Sequence, residues 1–519
     1  MSLLRNFATV GAATASSRVL GFVRDIFMAA ALGTGPIADA FFVAFRFPNL
    51  FRRLFAEGAF NSAFVPLFAK ALEGDGEAAA RRFAEQALAA LLTGLLIFLA
   101  LAEIAMPLLM LVLAPGFAAD PEKFDLAVLL TRIALPYLAF VSLLAFYSGV
   151  LNARGRFAAA AFAPALLNVV FIAALLLVLW LGYDNQPSAG ILLAWATLLG
   201  GAAQLAVVVY AATREGMLFR LSMPRLTPAV RRLGRLAVPG VLAGGITQIN
   251  IVIGTMIASL APGAVSYLYY ADRIYQLPLG IVGIAIGIVL LPDLSRQLRA
   301  GRMDLVEYTQ NRSLEFSMAL TLPAAVALIV MPTAIINVLF ERASFSAIDT
   351  NATAQALAAF AVGLPAFVLV KVFSPGFFAR EDTRTPMIFA GISVAVNVIL
   401  SLSLFPFLAH VGIAIATSVA GWVNAVLLVW TLHRRGQFTA DALVRKRIPL
   451  LGAASVLMGV CLYGAMWALA TWLAEPSILI RVLAVAILVV GGMAVFALFS
   501  QLTGAFKFGQ IRAAVRRDG

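Results

Sequence analysis

The sequence predicts an all-α polytopic membrane protein with about fourteen transmembrane helices. Of its 519 residues, 62% are hydrophobic and only 12% are charged, whereas a soluble globular domain averages about 45–50% and about 25%. The apolar stretches are far longer than the roughly 9–11 residues of a barrel strand, and they lack period-two alternation. This composition excludes a soluble enzyme and a disordered regulator. One cysteine and two histidines leave little for disulfide or metal chemistry, and no cofactor is expected.

Fourteen long apolar segments define the predicted spans. The first has no cleavage-like polar break after a short core, so we expect it to be retained. In chain order the spans lie at 3–32, 36–69, 84–114, 126–152, 157–182, 188–213, 229–260, 264–295, 309–340, 352–379, 385–408, 411–433, 449–473 and 477–503.

Basic residues divide the loops into two classes. Of 38 Lys and Arg, 27 lie at the two ends of the chain and in every second loop, and four lie in or beside the opposite loops. The positive-inside rule therefore predicts that both termini are cytoplasmic. Because this topology accounts for most of the net charge of +13, no nucleic-acid partner is required.

Short motifs recur at a nearly constant offset. Pro66 pairs with Pro292, 226 residues later, and Asn168 pairs with Asn397, 229 residues later. Three further pairs keep the same order: Arg46 with Arg273, Pro136 with Pro365, and Arg154 with Arg380. Five ordered pairs at this offset predict two parallel, pseudo-symmetric six-helix lobes.

The repeat also predicts the domain boundaries. The N-terminal lobe covers 1–213, a basic cytoplasmic linker covers 214–228, and the C-terminal lobe covers 229–435. Residues 436–519 lie outside the repeat and supply an extra helix pair, spans 13 and 14, with a basic cytoplasmic tail.

When these 27 and four are subtracted from the 38, seven basic residues remain, and they lie inside predicted spans. A central arginine costs about 2.5–3.5 kcal/mol on insertion scales, so such residues normally face a wet cavity or a partner. The seven are Arg18, Arg24, Arg46, Arg52, Arg53, Arg273 and Lys371, and the acids that accompany them are Asp25, Asp39, Glu57 and Asp272. Because bases outnumber acids, a cavity lined by these side chains should bind an anion, and arginine can contact two phosphate oxygens at once.

Buried Arg–Asp pairs that tie helices together are the alternative interpretation of these charges. It suits Asp25 and Asp272, which directly adjoin Arg24 and Arg273. It does not suit the whole set, which has a net positive charge. Glu103 in the third span has no partner that the sequence identifies.

Helical spacing groups the charges of the second span. On an ideal helix, one narrow arc holds Asp39, Arg46, Arg53 and Glu57, whereas Arg52 lies off it. Pro48 can kink the helix, so the choice between the two adjacent arginines stays open on spacing alone.

Three stretches resemble the MurJ (MviN) family of lipid II flippases. They are SRVLGFVRD from Ser17 to Asp25, ADAFFVAFRFPNLFRRLFAEGAFNSAFVP from Ala38 to Pro66, and VSYLYYADRIYQLPLGIVGIAIGIVLLPDLS from Val265 to Ser295. The similarity runs over the whole chain, including the APGF from Ala114 to Phe117. The resemblance implies the multidrug/oligosaccharidyl-lipid/polysaccharide exporter fold, with two six-helix lobes around a central cavity and two C-terminal helices.

The resemblance also implies a function. Family members flip undecaprenyl-diphosphate-linked disaccharide-pentapeptide, lipid II, from the cytoplasmic to the outer leaflet of the bacterial inner membrane for peptidoglycan synthesis. We accordingly expect a monomeric transporter and not an enzyme, with lipid II and membrane lipids as its partners. The family's functional arginines correspond to Arg18, Arg24, Arg52 and Arg273, with Asp25, Asp39 and Glu57 near them. The resemblance thus favours Arg52 over Arg53, and a basic residue is usual at Arg46.

Three other functions remain as alternatives. A flippase of another polyprenyl-diphosphate oligosaccharide would share the cationic cavity. A drug/cation antiporter of the same superfamily should carry acids in excess inside a lobe, whereas here bases are in excess. A membrane scaffold without transport predicts that the charges inside the spans can be neutralised harmlessly.

The sodium site of some family members is only partly matched. Asn397 and Thr417 fit that site, but Gly254 and Ser401 occupy the positions of its acids. Because no carboxylate is present there to neutralise a hard cation, we do not expect sodium coupling through this site. With no ATPase motif in the chain either, we expect transport to depend on membrane potential.

Overall fold

The computed structural model describes residues 2–53, 61–225 and 227–505, and it has helices and no strand among these residues. Glu57 and the basic tail from residue 506 onward lie outside the described residues. The chain divides into two compact units, Met1–Ser266 with Arg342–Ser346, and Tyr267–Glu341 with Ala347–Gly519. The predicted lobe boundaries rest on the sequence repeat and stay a prediction.

The first unit contains ten α-helices and a short 3-10 helix at Pro115–Ala119 within its described residues. They are α1 (Ser2–Leu32), α2 (Pro36–Phe51), α3 (Asn61–Gly74), α4 (Glu77–Ile104), α5 (Met106–Leu113), α6 (Pro121–Ala134), α7 (Tyr137–Ala153), α8 (Ala158–Leu181), α9 (Pro187–Arg214) and α10 (Pro228–Ala258). Helix α10 packs on α3, α4 and α5, so its contacts place it in this unit.

The second unit holds most of α11 and the helices that follow it. They are α11 (Ala264–Arg299), α12 (Met303–Val330), α13 (Pro332–Phe340), α14 (Ala347–Phe378), α15 (Arg384–Arg434), α16 (Ala442–Ala468), α17 (Ala470–Leu473) and α18 (Ile478–Leu502). Helix α16 packs on α12 and on α18, so the C-terminal helix pair is attached to this unit.

Local sequence explains where several helices begin and end. Asp120 caps α6, where its side chain accepts a hydrogen bond from the Lys123 N–H at 3.2 Å. Helix α8 ends at Gly182, whose φ of 66° is the left-handed conformation that glycine adopts at low cost. Ala409, with φ 43° and ψ −127°, interrupts α15 between the predicted spans 385–408 and 411–433.

Nine helical stretches in the described part of the chain are long and apolar enough to cross a membrane. One of them, Pro121–Ala153, comprises both α6 and α7, and another is α15, which corresponds to two predicted spans. The all-α polytopic class is therefore confirmed, and the count of fourteen stays a prediction.

Each unit has its own apolar core. In the first, α3, α4, α7 and α9 meet around a buried aromatic cluster that includes Phe64, Phe68 and Phe146. In the second, α11, α12, α14 and α15 meet around aliphatic side chains with Phe373 and Phe377. A charged or polar side chain that is buried among such apolar groups needs a hydrogen-bond or ion-pair partner.

Candidate substrate-binding site

Arg24 lies at the centre of a buried polar cluster formed by α1 and α8. Its Nε and Nη2 donate to Asp25 Oδ1 at 3.0 and 2.7 Å, and its Nη1 donates to Asn168 Oδ1 at 3.0 Å. Asn168 Nδ2 in turn donates to the Ser17 carbonyl at 2.9 Å. Arg24 is only 7% exposed and Asp25 3%, so the ion pair is shielded from solvent. Asp25 therefore pairs with Arg24 within α1, and Asn168 of α8 links Arg24 to a second helix.

Two aromatic rings complete the surroundings of Arg24. Its Cζ lies 6.0 Å from the ring centroid of Phe45 and 5.7 Å from that of Phe171. The two rings meet edge to face at 5.4 Å. The guanidinium is thus held by one carboxylate, one amide and two π-faces, an arrangement that fixes its orientation.

The other predicted arginines of this unit are more accessible. Arg18 on α1 and Arg53 after α2 are exposed, and Arg52 is half-buried. Arg52 Nε donates to Asn49 Oδ1 at 3.1 Å, so a neighbour on the preceding turn orients its side chain. Arg18 and Arg52 are therefore accessible to a ligand, because neither side chain is fully buried.

Arg46 reaches from α2 to α10. Its Nη1 donates to the hydroxyl of Thr255, which itself donates to the Ile251 carbonyl at 2.8 Å. Arg46 and Thr255 line a small cavity whose other walls are apolar side chains from α2, α5 and α10. This contact connects two helices of the first unit through a neutral hydroxyl.

Asp39 is 0% exposed and accepts four hydrogen bonds. Lys123 Nζ at 2.8 Å and Gly263 N at 3.0 Å donate to Oδ2, while the backbone N of Ser266 at 2.9 Å and its hydroxyl donate to Oδ1. Lys123 also lies 4.1 Å from the ring centroid of Phe117. Since every partner donates, the site suits an ionised carboxylate that fastens α6 and the start of α11 to α2.

In the second unit, Asp272 and Arg273 lie half-buried on α11. Arg273 Cζ is 4.7 Å from the ring centroid of Tyr269, one turn earlier, and Asp272 accepts from Gln276, one turn later. The aromatic face and the amide orient the two charges along the helix.

Lys371 on α14 is exposed. Its aliphatic stem lies against Gly283 of α11, where an added Cβ would come within 3.1 Å of its Cδ. The glycine leaves room for the stem. Glu103 of α4 also has a neighbour, because its Oε2 lies 3.9 Å from Arg132 Nε.

The sodium-like positions of the second unit come together. Asn397 Oδ1 accepts from Thr417 Oγ1 at 3.3 Å and lies 3.5 Å from Ser401 Oγ. Asn397 and Ser401 are buried, and the three side chains supply no carboxylate. Within the described residues, no group of three or more His, Cys, Asp or Glu could hold a metal ion.

Two partners in these clusters are not among the residues predicted for the site. The repeat marks Asn168 only as one half of a pair with Asn397, although an amide inside an apolar run is itself a signal. Lys123 is one of the four basic residues that lie in or beside the loops with few basic residues. Its contact with Asp39, 84 residues earlier, has no signature in the sequence.

Comparison with known proteins identifies the family to which this chain belongs. A family model described as "Lipid II flippase MurJ" matches residues 28–484. The chain belongs to the MurJ family. A probable lipid II flippase MurJ of Rhizobium meliloti is 52% identical over 100% of this chain and 97% of its own. The lipid II flippase MurJ of Burkholderia cenocepacia is 35% identical, over 89% and 90%.

Solved structures agree with this family. A lipid II flippase MurJ in an inward closed conformation superposes with a TM-score of 0.78 at 25% identity, covering 95% of this chain and 98% of that one. An inward-facing multidrug resistance MATE transporter of the MOP superfamily shares the fold, with a TM-score of 0.65 at 16% identity over 81% and 94%. The predicted resemblance to MurJ and the predicted exporter fold are confirmed.

Proposed function

We propose that this protein carries lipid II from the cytoplasmic to the outer leaflet of the inner membrane. The MurJ family match over the length of the chain carries the proposal, because two relatives with extensive coverage are named lipid II flippases. The excess of arginine over acid inside the apolar helices supports it, since the substrate carries a diphosphate.

Arg18 and Arg52 are proposed as direct phosphate contacts. Both are accessible at the surface of their helices, and a guanidinium can offer two parallel N–H groups to one phosphate. Arg273, with its charge oriented over the Tyr269 ring, is proposed as a further contact in the second unit.

Arg24 is proposed to act differently. Its Nε and both Nη atoms already donate within the buried cluster, so it contributes a fixed positive field unless the cluster opens. Asp25 then serves to hold Arg24. Asp39 likewise serves to hold Lys123, whose Nζ donates a hydrogen bond to it.

The remaining charges are assigned supporting roles. Arg46 and Arg53 add to the positive potential, and Asp272 belongs to the supporting acids, as does Glu57 by resemblance. A drug/cation antiporter is not favoured, because such a protein needs acids in excess inside a lobe. The transporter is proposed to work as a monomer, with both termini cytoplasmic.

Membrane potential is proposed as the driving force. Moving one net charge through 100 mV is worth about 2.3 kcal/mol, and an anionic head group moving outward is helped by an inside-negative potential. The cluster of Asn397, Ser401 and Thr417 offers a cation only neutral oxygens, which supports independence from sodium.

The test is flipping of fluorescent lipid II by the purified chain in proteoliposomes, with potential and sodium gradient imposed separately. We expect flipping that requires the protein and accelerates with an inside-negative potential. No flipping beyond that of protein-free vesicles would contradict the function. A rate that follows the sodium gradient at zero potential would contradict only the proposed coupling.

A further inference from the structure

The connection between α9 and α10 is fixed to the first unit. We call residues 215–225 the strap. Arg81 of α4 donates to the Leu218 carbonyl, and the Arg220 backbone N donates to Glu85 Oε1 at 3.1 Å. This part of the predicted linker therefore has neither helix nor strand, and hydrogen bonds hold it along the first turns of α4.

One face of the strap enters the apolar core. Met217 and Phe219 are buried, and the Phe219 ring stacks on Tyr147 at 6.1 Å and meets Phe146 edge to face at 5.6 Å. The guanidinium of Arg81 lies 6.0 Å from the Phe219 centroid. Because Met217 and Phe219 are buried in the core, the side chains that alternate with them lie on the outer face of the strap.

The opposite face is apolar and accessible. Leu218 is 48% exposed, Leu221 74% and Met223 82%. The strap begins where the candidate membrane span Pro187–Arg214 ends, so these side chains lie beyond that span, close to its end. Large apolar side chains in such a position are typical of a segment that lies in the membrane interface.

The same face is cationic. Arg220 and Arg225 are exposed, and neither guanidinium forms an ion pair with another described residue. The nearby acids are engaged elsewhere, because Glu85 lies 3.6 Å from Arg81 and Glu215 lies 3.0 Å from Arg156. The first turns of α10 add three more exposed arginines, Arg231, Arg232 and Arg235.

We propose that the strap binds anionic phospholipid headgroups at the bilayer surface where α9 ends. Arg220 and Arg225 contact the phosphates, and Leu218, Leu221 and Met223 enter the interfacial region. Alternating apolar and basic side chains beside a membrane span fit a charged lipid surface better than an acidic soluble protein, which would not solvate the apolar side chains. The strap thereby fastens α4 and the start of α10 to the leaflet.

The experiment places a fluorophore on the strap of the full chain. Cys461, the only cysteine, is replaced by Cys461→Ser, and Ser222→Cys is labelled after reconstitution into vesicles. Quenching is measured with spin-labelled phosphatidylglycerol and, separately, with spin-labelled phosphatidylcholine. We expect stronger quenching by phosphatidylglycerol, and we expect this preference to weaken as salt is raised.

Variants separate the strap from general surface charge. Arg220→Gln with Arg225→Gln should abolish the preference for phosphatidylglycerol, and Leu221→Ser with Met223→Ser should reduce quenching by both lipids. The matched control, Arg299→Gln with Arg302→Gln, removes two exposed arginines, one at the end of α11 and one just before α12, and should leave the preference unchanged. Gel filtration and thermal unfolding check that each variant folds.

Equal quenching by the two lipids in the unsubstituted strap would overturn the proposal. So would a preference that survives the loss of Arg220 and Arg225, or one that the control variant loses equally. Full accessibility of the label to aqueous iodide without lipid quenching would also overturn it and favour a soluble acidic partner.

Discussion

The two asparagines related by the internal repeat have very different surroundings. Asn168 in the first unit accepts from Arg24 at 3.0 Å beside an ion pair and two phenylalanine rings. Asn397 in the second unit meets the hydroxyls of Thr417 and Ser401, at 3.3 and 3.5 Å. The same residue type at corresponding positions therefore serves a charged cluster in one unit and a neutral cluster in the other.

The difference shows that a repeated helix plan does not fix the chemistry of its interior. A buried guanidinium must be paired because its desolvation is costly, and Asp25 and Asn168 supply that pairing. The contacts of Asn397 with Ser401 and Thr417 join neutral groups, and such hydrogen bonds contribute less to stability than those of a charged group. We therefore expect substitutions in the first cluster to affect both transport and stability more than substitutions in the second.

The largest effect is expected from Arg24→Ala. Lipid II flipping should be lost, and the free energy of unfolding should fall by about 3–5 kcal/mol because the buried Asp25 carboxylate loses its ion pair with Arg24. The double variant Arg24→Ala with Asp25→Ala should recover much of that stability but no flipping. Flipping in vesicles and thermal unfolding in detergent measure the two effects, and recovery of flipping in the double variant would show that Arg24 is only structural.

Asp39→Asn is expected to act mainly on stability. The amide leaves Lys123 buried without its carboxylate and brings a donor toward groups that themselves donate, at a cost of about 3–5 kcal/mol. Adding Lys123→Met should reduce that cost. Thermal unfolding of the single and double variants tests this, and unchanged stability in Asp39→Asn would exclude a tightly paired carboxylate.

The two asparagines themselves allow a matched pair of substitutions. Asn168→Leu removes an acceptor from a charged donor and should cost about 1.5–3 kcal/mol, with slower flipping because Arg24 loses its orientation. Asn397→Leu removes the contacts with the neutral hydroxyls of Thr417 and Ser401, and a neutral hydrogen bond is worth about 0.5–1.5 kcal/mol, so we expect a smaller loss of stability with flipping largely kept. Equal effects of the two substitutions on flipping rate would remove the functional contrast between the clusters.

The smallest effect is expected at an accessible ion pair outside the spans. Arg435 Nη1 donates to Asp382 Oδ2 at 2.7 Å, and this hydrogen bond, with that from the Thr385 N–H, lowers the pKa of Asp382 to about 2. Because the folded-state pKa lies below the ordinary value of 3.8, the stabilisation is present above that pH and is lost as the pH falls towards about 2. Unfolding temperatures of the unsubstituted chain and Asp382→Asn should therefore converge over that window, and a constant difference would contradict the assignment.

Much of the fold followed from local patterns in the sequence. Apolar segments predicted where helices lie, including the interruption of α15 at Ala409, and the motif around Arg24 predicted the family. These predictions worked because transfer into a bilayer is set segment by segment, by length and hydropathy, without reference to distant residues.

The sequence by itself determined the helical membrane class, the surplus of arginine and the absence of acids at Gly254 and Ser401. Only the tertiary structure decided that Asp39 meets Lys123 and that Phe219 anchors the strap in the core. The physical reason is that hydropathy and charge are sums over neighbouring residues, whereas a buried polar group takes as its partner whichever side chain the packing of helices brings within hydrogen-bond distance.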